Sequence, residues 1–162
     1  MSIWKIREGT PLPLAPTNLA QQKMPEEHLE DWIAARPDIL SEPLLIIGRQ
    51  VLIPDVKDRL DLLALDPQGN AVIIELKRGT LKDPADIQAL RYASYISKWD
   101  FDSFERTARE YLGRNQPDFN FNALFEDFCI EAGVEEIPEL NNDQRIIVVG
   151  SELKEKLGSV AL

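Results

Sequence analysis

Short apolar segments separated by turn residues predict four β-strands in this chain. They lie at 44–53, 59–66, 71–77 and 145–150. Gly48 interrupts the first segment, which favours a β-bulge at that point. The last segment reads RIIVVG and is continuously apolar, as is typical of a strand that is buried on both faces and parallel to its neighbour.

Two helices are predicted to flank these strands. The first covers 25–36, with Pro25 at the first helical position and two glutamates in the first turn. The second covers 84–99, with Asp83 as N-cap. Because a strand followed by a helix and a buried strand favours a parallel crossover, we expect 71–77 and 145–150 to pair in parallel.

The order helix, three strands, helix and strand predicts an α/β domain with a mixed central sheet. Residues 1–24 precede it as a proline-rich N-terminal arm, and the domain covers 25–162. An acidic, mostly helical insertion at about 100–144 interrupts it. The last residues begin an amphipathic helix and stop, so we expect the sequence to be a truncated piece of a longer protein.

Composition narrows the possible chemistry. The chain has 162 residues, 44% of them apolar, which suits one domain. Cys129 and His28 are the only residues of their kinds, so an internal disulfide, a Cys/His zinc site and a Ser-His-Asp triad are excluded or improbable. No apolar run is long enough to span a membrane and no signal peptide is recognisable, so we expect a cytoplasmic protein without a membrane partner.

The net charge of -10 argues against unaided binding to nucleic acid. The acidic residues are unevenly distributed. Residues 26–43 carry a net charge of -5 and residues 100–144 carry -9, whereas residues 44–99 carry +1. The central segment therefore stays available for contact with an anion.

A hairpin brings candidate catalytic residues together. Pro67-Gln68-Gly69 fits a three-residue loop, with proline at position i+1 of a type I turn and glycine in the following left-handed position. Pairing the residues that flank this loop sets Asp61 opposite Glu75, with Cβ atoms about 5 Å apart. The two-residue period of a strand places Lys77 on the same face as Glu75.

Two carboxylates at that separation repel by roughly 3 kcal/mol at an effective dielectric constant of 20. A hard divalent cation bound through oxygen would remove the repulsion. A cross-strand salt bridge to Lys77 on a solvated face explains the same spacing about as well. Spacing alone leaves both interpretations open.

Two further features favour a functional site near these carboxylates. On a helical projection Glu26 lies on the apolar face of the first helix, so its carboxylate needs a partner, although an interaction with the helix dipole is the simpler alternative. Gln88 and Tyr92 stand four residues apart on the second helix and share a face. Tyr92 can also be an ordinary aromatic residue at the edge of the core.

As a set, Glu26, Asp61, Glu75-Leu76-Lys77 and the QALRY segment from Gln88 to Tyr92 resemble the PD-(D/E)XK nuclease superfamily with a RecB-type QxxxY helix. The segments EEHLEDWIAARPDIL, RLDLLALDPQGNAVIIELKRG and IQALRYAS are similar to the C-terminal nuclease domain of NucS-type endonucleases. The resemblance covers about 25–99 and implies a restriction-endonuclease-like fold. The DNA-binding N-terminal β-domain of that family has no counterpart here, and 100–144 is an addition.

The resemblance also implies roles for these residues. Asp61, Glu75 and the backbone carbonyl of Leu76 would hold Mg²⁺ or Mn²⁺, and Lys77 would orient or help to deprotonate the attacking water. Glu26 would hold a second cation or a metal-bound water.

Supporting contacts are expected from other residues. Gln88 and Tyr92 would brace the site. The basic residues Arg78, Lys82 and Arg91 would contact phosphates, whereas Arg49 could contact phosphate or pair with a carboxylate at the edge of the core.

The function implied is a metal-dependent endonuclease that hydrolyses phosphodiester bonds of DNA, at branched, flapped or mismatched structures, in repair or defence. Because of the net charge, we expect a homodimer or an additional DNA-binding domain or subunit to supply affinity. Two other functions stay open: a catalytically silent nuclease-like binding module, and an acidic protein-interaction domain.

Overall fold

A computed structural model describes residues 3–15, 26–53, 57–80, 85–114 and 116–152. Within them, six strands lie at Ile3–Arg7 (β1), Thr10–Leu14 (β2), Leu45–Ile53 (β3), Asp58–Leu65 (β4), Ala71–Thr80 (β5) and Gln144–Glu152 (β6). Four α-helices lie at Glu26–Ala35 (α1), Ala85–Ile96 (α2), Phe101–Tyr111 (α3) and Phe121–Glu131 (α4), with a 3-10 helix at Pro37–Leu40.

The central sheet has four strands in the order β3-β4-β5-β6. The first three are antiparallel to one another, and β6 joins β5 in parallel. This confirms the predicted mixed α/β fold and the predicted parallel crossover. The arrangement, with α1 before the sheet and α2 between β5 and β6, is consistent with a restriction-endonuclease-like fold.

The hairpin between β4 and β5 has the predicted register. Leu62 pairs with Ile74 and Leu65 pairs with Ala71. Gly69 has a φ of 81°, the left-handed conformation that the three-residue loop requires. One further step along the same register sets Asp61 opposite Glu75.

The predicted bulge in β3 is also present. The register of β3 against β4 shifts between Ile46 and Gly48. A Cβ atom on Gly48 would lie 2.5 Å from a methyl group of Val51 and 3.0 Å from a methyl group of Thr107 on α3. A side chain at position 48 would displace both methyl groups, so glycine lets Thr107 of α3 pack close to the edge strand. The acidic insertion thereby contacts the sheet beside residues 49 and 50.

An apolar cluster covers each face of the sheet. The larger one packs α2, α3 and α4 on the sheet and includes Ile47, Leu63, Ile73, Tyr92, Phe104, Phe121 and Cys129. The smaller one packs α1 on the sheet and includes Ile33, Leu44, Leu62, Val72, Ile74 and Leu76. In the described part of the chain, no helix is long and apolar enough to cross a membrane.

Some boundaries differ from the predicted ones. α2 ends at Ile96 rather than at 99, because the last turn tightens and the Asn141 side chain donates hydrogen bonds to the carbonyls of Ile96 and Trp99 at 2.7 and 3.1 Å. Pro25, the predicted cap at 83–84 and the tail after 152 lie outside the described residues.

The N-terminal segment contains a pairing that the sequence analysis did not predict. β1 and β2 form an antiparallel hairpin. Glu8 and Gly9 make its turn, both with positive φ, as in the tight turns that match strand twist. All ten residues of its strands are exposed.

Candidate active site

A row of polar residues crosses the otherwise apolar sheet. On β3, Arg49 pairs with Leu62 and Val51 pairs with Leu60, so Gln50 stands opposite Asp61. On β5, the β4-β5 register extended by one step beyond Leu62 and Ile74 sets Glu75 opposite Asp61 in turn. Gln50, Asp61 and Glu75 therefore occupy neighbouring positions on three adjacent strands, and we call them the polar row.

Asp61 is held between β4 and β5. The paired ladder of these strands ends at Leu62 and Ile74, one step before Asp61. There the Asp61 carboxylate accepts a hydrogen bond from the Leu76 backbone N–H at 2.8 Å, and its other oxygen accepts one from the Gln50 amide at 3.2 Å. The carboxylate thus lies beside the peptide that joins Glu75 to Leu76.

Glu75 is a second acidic residue, on the strand next to Asp61. Its side chain is 1% exposed, which makes it one of the few buried acidic residues in the described part of the chain. A buried carboxylate is costly unless hydrogen bonds or opposite charge compensate it. Its neighbours Ile74 and Leu76 both belong to the smaller cluster, so strand alternation directs Glu75 to the opposite face, which α2 covers.

Gln88 and Tyr92 meet as their spacing predicts. The Gln88 amide donates hydrogen bonds of 2.8 Å to the Tyr92 hydroxyl and to the carboxylate of Asp58. The Tyr92 ring is fully buried in the core, so the alternative interpretation of Tyr92 as an aromatic residue of the core is correct as well. The pair links the start of β4 to the face of α2.

Burial raises the pKa of Tyr92 to about 12. The Gln88 hydrogen bond lowers that pKa, and the negative charges of Asp58 and Glu75 raise it further. The hydroxyl is consequently neutral at any physiological pH. Tyr92 can brace neighbouring groups through hydrogen bonds, but it is not a general base.

This shift predicts a specific loss of stability in alkali. The folded chain holds the Tyr92 proton more tightly than the unfolded chain, whose tyrosine pKa is near 10. The stabilisation is complete below pH 10 and is lost as the pH rises to about 12. We expect the free energy of unfolding to fall by about 3 kcal/mol more in wild type than in Tyr92→Phe over that interval, measured by urea unfolding. Parallel pH curves for the two proteins would contradict the shift.

Glu30 is a site residue that the sequence analysis missed. It is 7% exposed, and it accepts hydrogen bonds from Arg49 and from the Gln50 amide, the latter at 3.0 Å. The Gln50 amide therefore bridges the carboxylates of Glu30 and Asp61. A signal was present, because Glu30 lies four residues after Glu26 and so on the same face of α1.

Arg49 makes one of the two contacts predicted for it. Its guanidinium forms ion pairs with Glu30 and, at 2.7 Å, with Asp31. The Glu30 hydrogen bond is the largest of the effects that raise the pKa of Arg49. Of the two predicted interpretations, pairing with a carboxylate at the edge of the core is the one observed.

Gln50 adopts an unusual backbone conformation. Its φ is 49°, in the left-handed region that residues with a Cβ atom seldom occupy. Such a conformation costs on the order of 1 kcal/mol, and it persists where surrounding contacts enforce it, often at functional sites. Here the bulge at Gly48 precedes it, and the hydrogen bonds to Glu30 and Asp61 hold the side chain.

Several predicted site residues are not tested. The side chains of Glu26, Lys77 and Arg78, and Lys82 as a whole, lie outside the described residues. Arg91 is exposed on α2 next to Tyr92 in sequence. Their predicted roles stay predictions.

The predicted cation site rests on two carboxylates of the sheet. Among the described side chains, no group of three or more His, Cys, Asp or Glu residues is arranged to hold a metal ion. Mg²⁺ is usually bound through one or two carboxylates and keeps several waters. Asp61 and Glu75 lie on adjacent strands and supply two carboxylates, and their predicted role as metal ligands stays a prediction.

Comparison with known proteins adds little. No protein-family model matches the chain, and no curated protein matches it either. Among solved structures, the chain is similar to a repair endonuclease from Pyrococcus abyssi, with 14% sequence identity and a TM-score of 0.43. The match covers 98% of this chain and spans 60% of that one. A TM-score of this size is too low to support an inference about function, which has to come from the site.

Proposed function

We propose that this chain is a metal-dependent endonuclease domain that hydrolyses phosphodiester bonds of DNA. The observation that carries the proposal is the polar row, in which the Asp61 carboxylate accepts a hydrogen bond from the Leu76 N–H and Glu75 is buried on the adjacent strand. An acidic protein-interaction domain would need acidic residues on its surface. It would not need a carboxylate buried in the sheet.

Asp61, Glu75 and the Leu76 carbonyl would hold the Mg²⁺ or Mn²⁺ ion. When bound, the ion would polarise a phosphate oxygen and offset the negative charge that develops during hydrolysis. Lys77, two residues after Glu75 on β5, would orient the attacking water or help to take its proton. Glu26 would hold a second ion or its water.

Glu30, Gln50, Gln88 and Tyr92 act as positioning residues in this proposal. The hydrogen bond from Gln50 leaves Asp61 one preferred orientation, and Glu30 fixes the Gln50 amide in turn. Partners of this kind orient the groups that bind a metal, and their loss typically reduces affinity or activity about 10- to 100-fold.

The natural substrate would be branched, flapped or mismatched DNA, in repair or defence in the cytoplasm. The net charge of -10 makes the isolated chain a weak DNA binder at physiological salt. A homodimer or an additional DNA-binding domain or subunit would then supply most of the affinity.

Magnesium or manganese titration tests the proposal. We expect wild type to cleave at least one of four DNA forms, namely single-stranded, duplex, flap and mismatched, as either ion is added. EDTA should stop the reaction, and Asp61→Asn should not support it. Undiminished cleavage by Asp61→Asn, or none by wild type on any form, would favour the catalytically silent binding module instead.

A further inference from the structure

A cavity of about 470 Å³ lies between the edge strand β3 and helix α3. Four arginines line it, and Glu110 is the only acidic residue among its lining residues. The arginines are Arg49, Arg59, Arg106 and Arg114. In a chain of net charge -10 this is a local excess of positive charge, and we call the cavity the arginine groove.

Three of these arginines keep donors available. Arg59 is exposed and uses one guanidinium nitrogen to donate to the Gln50 carbonyl at 2.8 Å. Arg106 and Arg114 are exposed, and neither forms a salt bridge with an acidic residue elsewhere in the described ranges. Arg49 alone is committed, to Glu30 and Asp31. Guanidinium groups with free donors bind phosphate well, because their planar fork matches two phosphate oxygens.

The distribution of arginine in the acidic insertion is not even. Residues 100–144 contain three basic residues, Arg106, Arg109 and Arg114. Two of the three line the groove, and the third pairs with Glu105 on α3. The insertion therefore repels anions in general but presents positive charge towards β3.

Aromatic side chains complete the groove. Trp99 and Tyr111 are half-buried and line it together with the arginines. Basic residues alternating with aromatic rings are typical of surfaces that bind single-stranded nucleic acid, since the rings stack on bases and the cations follow the backbone. A cavity of this volume accepts a ligand the size of a small molecule, which corresponds to a nucleotide or two and not to a duplex.

The groove is continuous with the polar row. Gln50 lines it and also donates to the Asp61 carboxylate. A second cavity shares Arg49, Gln50, Glu110, Tyr111 and Arg114 with the first and extends it towards Gln116. A strand lying in the groove would thus reach Gln50, which is hydrogen-bonded to the candidate catalytic carboxylate of Asp61.

We propose that the arginine groove binds the sugar-phosphate backbone of a single strand of DNA and leads it to the polar row. This inference rests on the proposed nuclease function for the destination of the strand. Binding itself requires no metal and no cleavage, so the groove and the nuclease can be tested separately.

Fluorescence anisotropy of a labelled oligothymidylate of about 12 nucleotides measures the binding in EDTA. We compare wild type with the double variant Arg106→Gln/Arg114→Gln across salt concentrations of about 0.05 to 0.2 M. The matched control is Arg36→Gln/Arg109→Gln, which removes the same charge from two exposed, ion-paired arginines outside the groove.

We expect the groove variant to bind at least about 10-fold more weakly at low salt. Its plot of log affinity against log salt should be shallower by about 1.4, which corresponds to two lost phosphate contacts on a single strand. The control should stay close to wild type. Equal losses in both variants, no measurable binding by wild type, or equal binding of a blunt duplex would each overturn the assignment.

Trp99 offers a local readout. In a background where the exposed Trp4 and Trp32 are replaced by phenylalanine, Trp99 is the one remaining tryptophan of the chain. Quenching of its fluorescence by the oligonucleotide is expected if a base stacks in the groove. Binding without any change in Trp99 fluorescence would place the strand elsewhere. Binding without cleavage would leave the groove intact and count only against the nuclease.

Discussion

Asp61→Asn and Glu75→Gln are each expected to abolish metal-dependent cleavage while the fold stays intact. Each substitution keeps the shape of the side chain and removes one of the two negative charges proposed to hold the cation. The loss of activity should reach about 10³-fold or more, because the ion contributes several kcal/mol to transition-state stabilisation. Titration calorimetry with Mn²⁺ should show that both variants have lost binding.

Measurements of the free energy of unfolding distinguish a loss of metal binding from a loss of folding. In Asp61→Asn the new amide oxygen could still accept the hydrogen bond from the Leu76 N–H, and Glu75→Gln removes a charge from a position that is 1% exposed. We therefore expect free energies of unfolding within about 1 kcal/mol of wild type. Asp102→Asn, a substitution of an exposed residue on α3, is the matched control and should keep full activity. Mn²⁺ binding of wild-type strength in both site variants would refute the proposed ligand set.

Lys77→Ala is expected to abolish the proposed nuclease activity by another route. The alanine variant keeps the carboxylates of Asp61 and Glu75, so it should bind Mn²⁺ about as well as wild type. Without the ammonium group the attacking water loses the residue that orients or deprotonates it. General acid-base groups contribute about 10² to 10⁴ in rate, and we expect kcat to fall by a factor in that range.

Two comparisons make the Lys77 result informative. Lys98→Ala changes an exposed lysine that lies over the Tyr95 ring, and it should leave kcat unchanged. If Lys77→Ala instead lost Mn²⁺ binding, Lys77 would be a structural partner of the carboxylates, as in the salt-bridge interpretation of the hairpin. Retained activity in Lys77→Ala would exclude both roles.

Local sequence determined the hairpin and everything that follows from its register. Pro67 and Gly69 specify a loop of three residues, and a loop of that length permits one pairing of the strands on either side. The positions of Asp61 and Glu75 relative to each other could therefore be predicted without any tertiary contact. The Gln88 and Tyr92 pair was predictable for a similar reason, because a four-residue spacing on a helix places two side chains side by side.

Long-range packing determined the parts that the sequence analysis missed. Glu30 and Gln50 are 20 residues apart, and they meet because α1 packs across the sheet beside the edge strand. The positive φ of Gln50 could not be anticipated, since nothing in its residue type favours a left-handed backbone. Of the two contacts predicted for Arg49, the pairing with a carboxylate depends on Glu30 and Asp31, which α1 places beside it.

The sequence by itself thus determined the element order, the parallel crossover, the β4-β5 register and the candidate carboxylates, because these depend on periodicity, turn residues and spacing within a few tens of residues. Only the tertiary structure decided where the basic residues of the acidic insertion lie. Net charge predicts that 100–144 repels DNA, yet α3 packs on β3 at Gly48, and Arg106 on α3 and Arg114 just after it line the groove. Long-range packing decides which face of a helix meets the sheet, and amino-acid composition does not determine that packing.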